Sequence, residues 1–459
     1  MSFTQDVSTA SSHVEDVSLP PNKLKRSLTL TDLIIYGLVY VGPIAPFAFY
    51  GYISNTAKGM VALAYIVGAV AMFFTAYSYK LLSADFPVTG SVYAYARQAI
   101  GDKTGFLAGW MLVLDYILAP AATYLAAASA LHEIMTALPR WLLVLGFITV
   151  GTVVNYIGVQ ITALINKILL VVQLALFAVF VTVGLYALYH GAGAGHLTLK
   201  PLYQAHTFSL NLVFSAVSLA AISFLGFDAI STMAEETKDD SRRVIGRATL
   251  ATLALAAALF VAQTWIAADL ANGMTFASPD TAFYEIAAIA GGKTLSLITA
   301  FISAVVFGLS AASVVQASIS RLLWAMARDG RMPGFMAAVH PKYKTPYRSL
   351  LVVAAISITV AMIFLNHFDV ITILINFGAL TGFLILHVTV VAHFVVRRGS
   401  RAYFKHLVCP AIGFCILGYV MYCMDPLTIK LGLGWLVSGL LGYWFFVHRP
   451  NTSTAIKAA

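Results

Sequence analysis

Two stretches decide the fold: Val41-Gly-Pro-Ile-Ala-Pro46 and Ser223-Phe-Leu-Gly-Phe-Asp228. Each interrupts an apolar run of membrane-spanning length, the first covering about 31–55 and the second about 209–236. Proline has no N–H to continue a helix and glycine frees the backbone, so both runs should break at mid-depth. Unwound backbone survives inside a bilayer only where it is buried in protein or lines a cavity. Paired broken spans at matching places in two halves of a chain point to the substrate site of a secondary transporter.

Composition agrees. Of 459 residues, 60% are hydrophobic and 10% charged, against about 25% charged in ordinary soluble domains. Residues 1–22 are polar, without the apolar core of a signal peptide, and read as a disordered tail. Apolar runs fall near 31–55, 61–82, 104–131, 139–157, 162–189, 209–236, 244–269, 294–326, 349–366, 369–396, 407–425 and 428–447. The prediction is an all-α polytopic protein with twelve transmembrane helices.

Charge placement orients it. With the N-terminus inside, only Lys58, Arg140, Lys200, Lys293 and Lys430 of the 28 Lys and Arg fall outside. This is the positive-inside bias, and a missed or invented span would scramble it. Both termini are therefore expected in the cytoplasm. The net charge of +9 belongs to the membrane surface, which excludes the nucleic-acid reading. The expected layout is a cytoplasmic tail over 1–26, a transporter domain over 27–448 and a C-terminal tail over 449–459. Within the domain, repeat one covers about 27–190, repeat two about 205–397, and two extra helices about 406–448. Five spans per repeat is odd, so the second repeat enters from the opposite side.

No phosphate-binding loop, nucleophile–base set or metal-ligand cluster stands out, so neither an ATP-driven pump nor an enzyme is expected. No cofactor is expected. Cys409, Cys415 and Cys423 match no redox or metal spacing.

Several motifs resemble those of the amino acid–polyamine–organocation transporters. They are Phe86-Pro-Val-Thr-Gly-Ser-Val-Tyr-Ala-Tyr95, Ser223 to Thr237, Ser320-Arg-Leu-Leu-Trp-Ala-Met-Ala-Arg-Asp-Gly330 with His340-Pro-Lys342 and Thr345-Pro346, and Ile375-Asn-Phe-Gly-Ala-Leu380. The resemblance covers about 26–448. It is closest to the bacterial putrescine importers, above all at Leu114-Asp-Tyr116, the Ser223 stretch and the Asn-Phe-Gly-Ala element. It implies a five-plus-five inverted-repeat (LeuT-like) core with broken helices 1 and 6, proton coupling and alternating access. Three features depart. The first break carries prolines where amino-acid carriers of the family present bare glycine amides, and Ala48 stands where putrescine importers place an acid. Gln173 stands where several proton-coupled relatives carry a lysine.

The expected function is proton-coupled import of a small amine, putrescine or a polyamine first, across the cell membrane. The alternative is import or exchange of amino acids in the same fold. The expected partners are that substrate, protons and membrane lipid. The candidate substrate site comprises Tyr40, Val41, Gly42, Ala45, Tyr116, Ser223, Phe224, Gly226, Phe227 and Asp228. Freed carbonyls at the breaks suit an ammonium, and Gly42 N–H, Ala45 N–H or a side chain would have to serve a carboxylate. Asp228 reads either as a partner for a substrate ammonium or as the cap of the second half-helix. Asp115 is the candidate proton site, since an intramembrane carboxyl is expensive without a function. Glu235 and Glu236 are expected to pair with Arg242 and Arg243, and His387 to be a hydrogen-bonded structural histidine.

Overall fold

The computed structural model describes residues 28–447 except 89, 158, 239, 329, 331 and 344, and leaves aside the side chains of 159–164, 235, 241, 325 and 445–447. The expected tails 1–26 and 449–459 lie outside the described residues.

The chain is helical throughout, in the order α1 (Leu30–Val41), α2 (Pro46–Ala57), α3 (Val61–Asp85), α4 (Ser91–Ala99), α5 (Asp102–His132), α6 (Arg140–Ile157), α7 (Val159–Tyr189) and α8 (Leu210–Phe224). A 3-10 helix (Phe227–Glu236) leads to α9 (Ser241–Ala271), α10 (Ala282–Val305), α11 (Ala312–Arg328), α12 (Tyr347–Ile363), α13 (Phe368–Val390), α14 (Cys409–Tyr422) and α15 (Pro426–Val447). Among the described residues nine helices are long and apolar enough to cross a membrane, ten with α1 and α2 counted as one bent span. Two more helices, α12 and α15, cover the remaining predicted segments. Apolar side chains such as Val171, Tyr186, Val396 and Leu441 stand exposed around the bundle. That surface suits hydrocarbon rather than water.

Two elements depart from the sequence reading. α4 is a short helix between spans, not anticipated as such. The eighth predicted span, placed from 294, instead continues a helix that starts at Ala282 and kinks at Gly291–Gly292. Gly292 has φ +71°, which glycine adopts without strain. The kink lets Ala282, Phe283 and Ile286 bury themselves, with Phe283 stacked on Phe47 of α2. Hydropathy alone could not distinguish this protein-covered turn from a loop.

α1 lies on the 3-10 helix, α2 on α8, and α3 along α9. Small residues allow the close approach of α3, including Ala64, Gly68, Ala71 and Ala76. In membrane helices, where lipid is as apolar as leucine, such contact is a main source of association. α5 runs through the centre, flanked by α13, α11 and α10. His387 of α13 ties this layer to α3 through Ser78 Oγ at 2.9 Å and Thr75 Oγ1 at 3.4 Å. At one end of the bundle, Asp85 of α3 holds His393 Nε2 at 2.9 Å and Arg398 Nη1 at 2.6 Å.

Candidate functional site

α1 begins with a capping box: Thr29 Oγ1 accepts the Asp32 N–H and the Asp32 carboxylate accepts the Thr29 N–H. It ends at Val41, where Gly42 takes φ +74°. The chain bends by 54° before Pro46 opens α2. Proline suits that first position because its missing N–H has no helical partner there anyway. Two of the amides between are occupied. Gly42 N–H donates to Leu38 O at 2.9 Å, and Ala45 N–H donates to Gly42 O at 2.9 Å. The two amides on which a substrate carboxylate would rely therefore serve the break itself. Gln263 of α9 donates from Nε2 to Pro43 O at 2.9 Å and fixes the break from behind. Gln173 is fully buried beside Gly42.

The second break is built differently. α8 ends at Phe224, Leu225 is extended, and Gly226 takes φ +112°. Asp228 then turns back on the break: its Oδ1 accepts the Gly226 N–H at 3.2 Å, and its Oδ2 accepts the Tyr116 hydroxyl of α5 at 2.7 Å. The carboxylate is 2% exposed. From the first turn of the second half-helix it ties the break backbone to α5. A hydrogen bond to a charged acceptor contributes about 1.5–3 kcal/mol. A Tyr116→Phe variant should lose stability on that scale, read as an earlier thermal unfolding transition in detergent. An unchanged transition would show that the bond is idle.

Between the breaks lies a cavity with about 90 Å³ open to the centres of water-sized molecules. A water needs about 10–15 Å³ on that measure, so several groups fit. The first break contributes Tyr40, Val41, Gly42, Ala45, Ala48 and Phe49. α5 contributes Asp115, Tyr116, Ala119, Ala122, Thr123 and Ala126, and the opposite wall is Ile222, Leu225, Val306, Phe307, Ala311, Val315 and Ile375. Asp115 is the lining's one carboxylate, and no lysine, arginine or histidine joins it among the described residues. Asp115 is 3% exposed, and its carboxylate has no hydrogen bond or ion pair among the described residues. Gly378 of the Asn-Phe-Gly-Ala element brings α13 against the α5 backbone at this level. A methyl there would stand 2.8 Å from Met111 O and 3.0 Å from Asp115 N. Asn376 Nδ2 donates to Ser218 O at 2.6 Å and joins the same helix to α8.

The predicted residues thus divide into two groups. Tyr40, Val41, Gly42, Ala45, Tyr116 and Asp115 converge on the cavity. Ser223, Phe224, Gly226, Phe227 and Asp228 stand behind its wall. Ser223 Oγ pairs with Tyr65 OH at 2.9 Å, Phe224 packs on Tyr65 and Phe260, and Phe227 on Tyr79 and Phe383. The sequence reading missed the alanines of α5. Their signal is the spacing Asp115, Ala119, Ala122, Ala126, which places small residues above the carboxylate on one helix face. Glu236 lines a different cavity and pairs with neither Arg242 nor Arg243 among the described residues. Arg243 instead meets Asp240 at 4.0 Å, and the Glu235 side chain lies outside the described residues.

Residues 34–449 match the family model described as amino acid permease. The chain belongs to the amino acid permease family. The permease is a multi-pass membrane transporter and not an enzyme. Its similar relatives include the low-affinity putrescine importer PlaP of Escherichia coli, 32% identical over 91% of this chain and 93% of the relative. The branched-chain amino acid permease BcaP of Bacillus subtilis is 27% identical over 93% of this chain and 94% of its own. The methylthioribose transporter of Bacillus subtilis is 25% identical over 93% and 95%.

Proposed function

We propose that this permease imports a small amine, a short diamine such as putrescine first, with protons and by alternating access. Asp115 carries the proposal: among the described residues it is the one charge on a cavity otherwise walled by apolar and aromatic groups and the Thr123 hydroxyl. An ammonium entering there meets the carboxylate, the rings of Tyr40, Tyr116 and Phe49, and the freed backbone of the first break. Cation–π contacts in a desolvated site add about 2 kcal/mol. An amino-acid carboxylate finds no cationic side chain on this lining, and the amides of Gly42 and Ala45 are already engaged. The putrescine importer among the relatives supports the same class of cargo.

Asp115 and Asp228 sit on either side of Tyr116, one open to the cavity and one shielded behind its wall. In this reading cationic cargo and proton reach the pair through Asp115. The lysine and arginine distribution supports both termini in the cytoplasm, in a cell membrane and with repeats near 27–190 and 205–397. In that orientation a membrane potential favours cation entry by about 2.3 kcal/mol per charge per 100 mV. That is roughly fifty-fold accumulation for one charge.

The test is uptake of labelled putrescine into proteoliposomes under an inward proton gradient, competed by amino acids. The expected result is gradient-stimulated uptake that unlabelled diamines abolish and amino acids leave intact. Accumulation of amino acids with no putrescine uptake would overturn the amine reading.

A further inference from the structure

A second cavity, with about 190 Å³ open to water-sized centres, lies between the start of α1, the end of the 3-10 helix, and α11. It shares no lining residue with the central one. Tyr36 lines the second cavity and Tyr40 the first. The two rings meet edge-on at 6.5 Å, and Tyr36 is held by Ser318 Oγ at 3.2 Å.

Two opposite charges face this space without an ion-pair partner among the described residues. Arg321 of α11 is half-buried on the lining, and its one hydrogen-bond partner among the described residues is the Met233 sulfur at 3.9 Å. A thioether is a weak acceptor, whereas a guanidinium offers five donors in a fork that matches a carboxylate. Glu236, also half-buried on the lining, gives its main-chain oxygen to Leu28 N–H at 3.0 Å. Its carboxylate has no hydrogen bond or ion pair among the described residues. Two ions that share a cavity wall without pairing to each other leave each charge to be met by something inside it. Water meets them partly. A molecule that carries a carboxylate and an ammonium meets both at once and replaces several waters with charge-assisted bonds.

We infer that this cavity is a binding site for a zwitterionic amino acid, with the carboxylate on Arg321 and the ammonium on Glu236. The site is separate from the amine site, and its inward-facing position rests on the orientation proposed above. An occupant there blocks the route between the central cavity and the inner face, so cytosolic amino acid would slow amine release. The central cavity offers the opposite chemistry, a lone carboxylate with no cation, so the two sites select different cargo.

The experiment is equilibrium binding of tritiated L-serine, L-glutamine and L-leucine to the purified full-length permease, with and without excess putrescine, in wild-type and Asp115→Asn protein. Expected is saturable binding of at least one of them that survives both putrescine and Asp115→Asn. Arg321→Gln and Glu236→Gln should each weaken it by about tenfold or more, the scale of a lost charge-assisted bond. Arg321→Lys, which keeps the charge but not the fork, guards against misfolding and should still bind measurably weaker. No saturable binding of any of the three, binding abolished by Asp115→Asn, or binding indifferent to Arg321 and Glu236 would each overturn the inference. Binding retained in Asp115→Asn, together with no putrescine uptake by the wild-type permease, would sink the amine proposal and leave this site standing.

Discussion

Asp115→Asn should reduce putrescine uptake by about two orders of magnitude and remove its dependence on the proton gradient. The size follows from what the carboxylate does. It is the one charge on the central lining, 3% exposed and without a hydrogen-bond partner among the described residues. A charge-assisted bond contributes about 1.5–3 kcal/mol, or roughly ten- to 150-fold in affinity. Asparagine keeps the volume and a carbonyl oxygen but neither the negative charge nor the capacity to take up a proton. The variant should therefore fold, since no structural bond is lost with the carboxylate. Loss of stability is expected from Asp228→Asn instead, because Asp228 bonds Tyr116 and the Gly226 N–H. Thermal unfolding in detergent and uptake in proteoliposomes, measured on both variants, separate the two roles. Wild-type uptake by Asp115→Asn at every pH would remove that residue from the mechanism and with it the observation on which the amine reading rests.

The division between Asp115 and Asp228 also shows what was legible in the sequence. The breaks themselves were legible, because proline and glycine act on local backbone. The cap reading of Asp228 was available for the same reason, as a short acidic side chain just after a break. Tyr116 as its second partner was not legible, since α5 and the second break are distant in sequence. Gln263 holding Pro43 O, and Gly378 pressed against the α5 backbone, are tertiary in the same sense. The five candidates behind the wall share a break with the cavity without lining it. Adjacency in sequence to a break does not settle which residues face the space beside it. Only the α5 alanines had a usable periodic signal, and it needed Asp115 as its starting point.

Gly226→Ala should be strongly disruptive for a single-methyl change, abolishing transport and lowering the yield of folded material. Two costs combine. Gly226 has φ +112° and ψ −20°, a backbone conformation that L side chains rarely adopt, costing of order 1–3 kcal/mol. The added methyl would also overlap the Tyr40 ring, which is buried and lines the cavity. On its protein side the ring is confined: Tyr36 lies against it at 6.5 Å, and Leu38, Val39, Val314 and Val315 belong to the same buried cluster. The two costs separate in a double-mutant cycle with Tyr40→Ala. Removing the ring relieves the overlap and leaves the backbone strain, so Gly226→Ala should be less damaging in the Tyr40→Ala background than in wild type. Equal damage in both would mean that strain alone accounts for the effect and the ring contact contributes nothing. A coupling of the expected sign would establish that the two breaks bear directly on each other through one glycine and one tyrosine. The position of one half-helix then sets that of the other, which alternating access around a shared cavity requires.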